Sequence, residues 1–324
     1  LLAKAVAAGK TDAEKQAAVN SLQSLPGEKV NANILTCLAA APAAAKVALI
    51  ETLAVRQAAE AVGALVKQAN DSDASVRAAA LKALGQLATS RDLTALVGLL
   101  VARPCEEAER AVVLVSRRLD PVAAQAECVL EALGKAKTTP VRCSLLRTLG
   151  GIGNAKAFVA VTAAKGDKDA DVQNAAVRAL TSWPNARALD ASLDIFRKTE
   201  SMTHRVLALR GCVRMVGLSD KAPAGKLKIL GELMNKAKRP EDRRLVLSGL
   251  AQVADPAAAA AVKPFLNDAA VKAEAELAML AIAQSIRNSH PSDAKAAAQL
   301  LQKSRNRSVR NAANRLVRDL SAAK

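Results

Sequence analysis

The side chains suited to acid–base or covalent chemistry are few in this chain and far apart. Its two histidines, His204 and His290, stand in different segments, and the five cysteines (Cys37, Cys105, Cys128, Cys143 and Cys212) show no CxxC spacing. A protein metal site needs three or four converging ligands, so no metal is expected. No GxxxxGK[ST] or GxGxxG run is present to cradle phosphates, and no cofactor is expected either. A Ser-His-Asp or Cys-His arrangement at a recognisable spacing is also missing. The carboxylate pairs Glu106–Glu107 and Glu241–Asp242 open helical patterns, where negative charge meets the positive end of the helix dipole. Capping explains them better than catalysis. The cysteines read as small buried apolar residues, His204 as a packed flank residue, and His290, just before Pro291, as a solvated loop residue. No catalytic residue is assigned, and the chain is expected not to be an enzyme.

Positive charge is what the chain carries in quantity. Lys and Arg number 47 against 30 Asp and Glu, a formal net charge of +17. Residues 197–324 hold 24 basic and 11 acidic residues, whereas the first 196 hold 23 and 19. A basic excess of this kind suggests an acidic partner: nucleic acid, an anionic membrane surface or an acidic protein. With three Phe, one Trp and no Tyr, stacking of single-stranded bases is disfavoured, while contact with a phosphate backbone through Lys and Arg needs no aromatics. No apolar run reaches the ~18–20 residues of a membrane span. The least charged stretch, Val30 to Ala45, is broken by Asn31, Asn33 and Pro42. There is neither a signal-peptide pattern nor an initiator Met, so residues 1–324 are expected to be one segment of a longer protein, cytoplasmic or, after removal of a leader, periplasmic.

These charges sit on a repeat. Alanine-rich apolar residues recur at helical spacing, and period-two alternation is absent, which predicts an all-α chain. One pattern returns about every 32 residues: Asp73, Val76, Arg77, Ala80, Leu81, Leu84, Leu87; then Thr138, Val141, Arg142, Leu145, Leu146, Leu149, Ile152; then Asp169, Val172, Gln173, Ala176, Val177, Leu180, Trp183. With its charged residue as position zero, ten copies follow, at Lys15, Lys46, Arg77, Glu109, Arg142, Gln173, Arg205, Arg243, Glu276 and Arg310. Thr11, Asp73, Thr138, Asp169, Ser201 and Asn306, four residues earlier in six copies, are predicted helix N-caps. A preceding helix in each repeat carries its own apolar stripe, as in Val62, Leu65 and Val66. Gly150-Gly151-Ile152-Gly153 reads as the turn that ends a helix. The widest spacing surrounds Leu218 to Gly225 and marks the expected hinge or change of curvature. A period of this length means hairpins that bury their apolar faces only by stacking on neighbours.

The run Asp73-Ala74-Ser75-Val76-Arg77-Ala78-Ala79-Ala80-Leu81, followed by Leu84-Gly85, resembles a HEAT-like repeat of the kind also found in bilin lyases. The motif is strongest in repeats three, five, six and ten and covers nearly the whole chain. The resemblance implies a right-handed α-α superhelix, an armadillo-like solenoid of about ten helical hairpins, with the second helices lining its concave side. It implies no activity of its own.

A helix turns about 100° per residue. The apolar columns at −1, +3, +4, +7 and +10 then average about −40° from position zero, which places zero on the flank of the buried stripe. Lys15, Lys46, Arg77, Arg142, Arg205, Arg243 and Arg310 are therefore expected to lay their stems on the core and pair across adjacent repeats. Position +5 falls near 140°, opposite the core. There Lys82, Arg147, Arg178, Arg210 and Arg315 form an expected basic concave stripe, joined by Arg118 and Arg214 at +9 and by Arg117 and Arg318 at +8. The leading expectation is a monomeric, non-catalytic scaffold or adaptor that binds a protein or peptide on the concave face. The alternative is a polyanion, nucleic acid first, along the stripe. A lyase or a DNA glycosylase comes third, since such a glycosylase needs a Trp in the groove, and Trp183 falls in a core column.

Overall fold

Stacked hairpins need helices that alternate between two layers, and the computed structural model has that order. It describes residues 2–8 and 11–322, and among these it contains twenty α-helices, a few short 3-10 turns and no strand. The helices pair as α1 (Leu2–Ala8) with α2 (Asp12–Ser24), α3 (Glu28–Leu38) with α4 (Ala43–Val55), and α5 (Val62–Gln68) with α6 (Ala74–Leu87). Next come α7 (Leu93–Ala102) with α8 (Glu106–Ser116), α9 (Glu127–Lys135) with α10 (Thr139–Ile152), and α11 (Ala155–Ala164) with α12 (Ala170–Thr181). The remainder are α13 (Leu189–Lys198) with α14 (Met202–Leu218), α15 (Pro223–Lys236) with α16 (Pro240–Leu250), α17 (Pro256–Val262) with α18 (Lys272–Ser285), and α19 (Pro291–Leu300) with α20 (Arg307–Ala322). All ten position-zero residues lie on the even-numbered, second helices.

The chain divides into two compact units, Leu1–Ala179 and Leu180–Lys324. In the first, the second helices α2, α4, α6, α8 and α10 pack side by side in order. In the second unit α14, α16, α18 and α20 do the same. The buried stripe is aliphatic: Leu22, Leu53, Leu84 and Leu149 at +7 are all within the core, as is Leu250 in the second unit. Trp183, at +10, is fully buried.

Five of the six predicted caps accept amide hydrogens through their side chains, with Thr11 and Glu14 closing a reciprocal capping box. Thr138 does not. Pro140 occupies the second position of α10 and has no N–H to offer, which removes one of the two amides a cap can reach. The extra residues around 218–225 do not form a long loop. They extend α14 to seventeen residues and α15 to fourteen, with only 219–222 between them. The glycine run at 150–153 is also resolved further: Gly150 and Gly151 lie inside α10, and only Gly153, at φ 77°, is the left-handed residue that ends it.

Candidate interaction surface

The wheel places +5 opposite the core, and nine of the ten residues in that column are exposed, Ala281 being half-buried. Position zero sits on the flank. All seven of its Lys and Arg residues are half-buried, while Glu109 and Glu276 are buried.

Two kinds of contact recur at position zero. The first reaches back to the loop before the helix: Arg77 donates to the carbonyls of Asp71 and Ser72 at 2.9 and 2.7 Å, Gln173 to Asp167 at 2.5 Å, and Arg205 to Thr199 at 2.8 Å. Arg310 donates likewise to Ser304 at 2.8 Å. The second reaches the next hairpin. Lys46 meets the Asp71 carboxylate at 2.6 Å, Arg142 pairs with Asp167, and Arg243 meets Asp268 at 3.1 Å. Lys15 pairs only with Asp12 on its own helix, at 3.8 Å. Asp71 therefore accepts a cation from the hairpin behind through its carboxylate, and one from its own hairpin through its carbonyl. Its carboxyl is held below the ordinary range first by the Lys46 hydrogen bond, and that of Asp167 first by the Asp169 amide and then by Arg142. Replacing Arg142 by alanine is expected to lower stability by about 1 kcal/mol, since the loss falls on a half-buried charged hydrogen bond. Lys82→Ala is expected to stay within about ±0.5 kcal/mol. Denaturant melts of the two variants check the pair.

Four arginines of the expected stripe are exposed, yet their guanidinium groups are engaged by the protein itself. Arg147 at +5 forms a bidentate pair with Glu109 of the preceding hairpin, its Nε 3.0 Å from Oε1 and its Nη2 2.6 Å from the same oxygen. Ser144 donates to that oxygen as well, at 2.6 Å. Repeat four carries a carboxylate at zero where most repeats carry a cation, and the long guanidinium swings back to it. Arg118 donates to the carbonyls of Gln86 and Ala88 at 3.0 and 2.7 Å, capping the C-terminal end of α6. Helix α8 stops at Ser116, so wheel angles at +8 and +9 no longer describe Arg117 and Arg118. Arg117 reaches the Gly151 carbonyl near the end of α10. Arg214 donates to the Trp183 carbonyl at 2.6 Å. Cationic donors at helix C-termini satisfy orphan carbonyls and oppose the negative dipole end. Arg56, which the sequence pattern passes over, does the same for α2 by donating to the carbonyl of Leu22 at 2.6 Å, and it also reaches the Gly27 carbonyl, just before α3, at 3.2 Å. Its signal was a basic residue just past the end of a helix.

Lys82, Arg178, Arg210, Arg315 and Arg318 are exposed. Arg178 donates to Asn174 on its own helix at 3.1 Å. Lys82 borders a groove of about 610 Å³ that crosses α4, α6 and α8. Val47, Ala78, Leu81, Gly85, Ala111 and Leu114 form its apolar floor. Glu51, Lys82, Glu107 and Arg110 stand around it. Small residues on α6 and α8 leave the space, and Leu114, 50% exposed, is the aliphatic member of the otherwise mostly polar +5 column.

The nucleophile inventory stays modest. Cys143 and Cys212 are buried, and burial pushes the Cys212 thiol up to about 12. Cys37, Cys105 and Cys128 are only half-buried, Cys105 lying just before the first residue of α8, and Cys128 and Cys143 are not bonded to each other. His290 is exposed, with Nδ1 3.0 Å from the Ser289 hydroxyl. Among the described residues no His, Cys, Asp and Glu cluster has the makings of a metal site, and no helix is long and apolar enough to cross a membrane. Trp183 offers no exposed ring to a base.

A family model of HEAT repeats matches residues 31–115, the stretch that holds all the residues lining the groove. No curated protein matches the chain in sequence. Among solved structures, yeast importin-beta (Kap95p) superimposes with a TM-score of 0.64 at 11% identity, covering 99% of this chain and 52% of that one. The Kap95p structure in which its binding induces the switch loops of RanGDP to adopt the GTP-bound conformation gives 0.50 at 14% identity, over 99% and 48%. An engineered protein aligns over 99% and 98% at 19% identity, with a TM-score of 0.41. The chain thus spans about half the length of importin-beta. At these identities the likeness is one of fold.

Proposed function

For a HEAT-like helical repeat protein, which this chain is, we propose the role of a scaffold that binds a protein segment on the exposed face of its second helices. The groove across α4, α6 and α8 carries the reading. Its floor is aliphatic, Leu114 within it is half exposed to solvent, and its rim offers charge of both signs. A peptide with one or two aliphatic side chains buries them against Leu81 and Leu114. Burying such a side chain contributes roughly 1.5–3 kcal/mol, and rim charges set register more than affinity. An anionic polymer finds less here, because Glu51 and Glu107 lie beside Lys82 and Arg110.

The role asks for no catalysis: the surface presents shape, apolar area and charge, and the partly buried ion pairs and carbonyl caps keep it in place. Affinity capture from nuclease-treated lysate, run with the wild-type chain and with Leu114→Lys, tests it. A protein retained by the wild type is expected to be reduced at least about tenfold by the variant, as loss of one apolar anchor implies. Capture of no protein, or equal capture by both chains, would contradict the proposal.

A further inference from the structure

The last hairpin departs from the others in one column. Position +4 reads Val19, Ile50, Leu81, Val113, Leu146, Val177, Leu209, Leu247 and Leu280, and then Asn314. Where nine repeats place an aliphatic side chain, the tenth places an amide, which accepts a hydrogen bond from Gln302 Nε2 at 3.0 Å. On α20, Arg307, Asn311, Asn314, Arg315 and Arg318 fall within an arc of about 100°. A groove of about 610 Å³ lies on this side, lined by Gln302, Asn311, Asn314, Arg315, Val317 and Arg318. No carboxylate lines it. Among the described residues Arg307, Arg315 and Arg318 form no ion pair, and all three are exposed. Lys303 and Arg305, in the loop before α20, are exposed as well.

From this arrangement we infer a second binding surface, separate from the groove on α4, α6 and α8, that holds the phosphate backbone of a nucleic acid duplex without reading its sequence. Arg, Asn and Gln are among the side chains that contact phosphate and sugar oxygens. Arg307 and Arg318 lie about 16 Å apart along the helix at 1.5 Å per residue, a span over which a duplex presents several phosphates. An acidic peptide is the competing occupant, and the lining disfavours it. Peptide sites draw much of their affinity from apolar anchors, and the one aliphatic residue here is Val317. Duplex nucleic acid supplies its own driving force by releasing condensed counterions. The absence of exposed aromatic rings on α20 excludes base stacking as a contributor.

Fluorescence anisotropy with short duplex DNA in about 50 mM salt tests the inference on the whole chain. Two unrelated duplexes are expected to bind with equal affinity, which falls steeply as salt rises. The triple variant Arg307→Gln, Arg315→Gln, Arg318→Gln is expected to bind more than about tenfold more weakly and to lower the log-log salt slope by about 2.7, three phosphate contacts at about 0.9 each. Its thermal melt should match the wild type, since among the described residues the three exposed side chains form no hydrogen bond or ion pair with the protein. Leu114→Lys, which tests the protein-binding groove, should leave DNA binding intact, so the two proposals fail separately. Absence of duplex binding, binding that survives the triple substitution, or polyglutamate binding as tightly as duplex DNA would each overturn the inference.

Discussion

Gly211→Ala is expected to be the most damaging alanine substitution among the glycines whose surroundings are described, lowering stability by about 3 kcal/mol, the upper part of the range for overpacking. A Cβ at this position would stand 2.3 Å from the Thr181 carbonyl oxygen and 3.1 Å from the carbonyl carbon and Cα. All three are backbone atoms, so no side-chain rotation relieves the clash, and α14 has to move away from the end of α12. Gly150, where a Cβ would meet Ala179 Cβ at 2.7 Å, is the milder counterpart. Gly98, with nothing within 4 Å, is the control: alanine there should be neutral or stabilising, because it lowers the entropy of the unfolded chain. Urea melts of the three variants rank them. A Gly211→Ala midpoint close to that of Gly98→Ala would show that the helices do not approach as described.

The second large effect is expected at Glu109. Its side chain is 12% exposed and receives Arg147 and Ser144, so Glu109→Ala leaves a guanidinium and a hydroxyl without their acceptor. Breaking a fully buried pair costs about 3–5 kcal/mol. Arg147 is 44% exposed and recovers part of its hydration, so about 2 kcal/mol is expected here. Replacing both partners, as in Glu109→Leu with Arg147→Met, should cost less than Glu109→Ala alone, because no charge is then stranded. A double-mutant cycle measures this. If the single and double variants were equally unstable, packing rather than charge pairing would be the source of the loss.

The sequence disclosed the architecture because a repeat reports the same physics ten times over. A single Leu at +7 says little, whereas Leu22, Leu53, Leu84, Leu149 and Leu250 at one phase fix which side of each helix is buried. The same phase exposed the +5 column. What the pattern missed came from reach and from helix length. The wheel gives the direction of a Cβ and not the destination of a guanidinium several bonds further out, so Arg147 looked solvated while its head lies on Glu109. Arg118 is exposed, yet its head caps α6, and the wheel could not place that head because α8 ends at Ser116. The groove was missed for a different reason. It arises from what is absent, the small Ala78, Gly85 and Ala111 on facing helices, and column averages treat those positions as unremarkable core. Leu114 was its one visible sign, an aliphatic residue in a column otherwise made mostly of polar and charged side chains.

That residue is also where the scaffold role is most directly tested. A photo-crosslinking amino acid in place of Leu114, with a second chain labelled at Val159, compares the groove with an exposed aliphatic position outside it; Val159 is 68% exposed and lies on the first helix α11. Position 114 is expected to crosslink to one segment of one partner protein, with aliphatic residues at the point of attachment. Position 159 is expected to give no such product. Crosslinking that is equal at the two positions, or absent at 114 with partner protein present, would contradict the scaffold role.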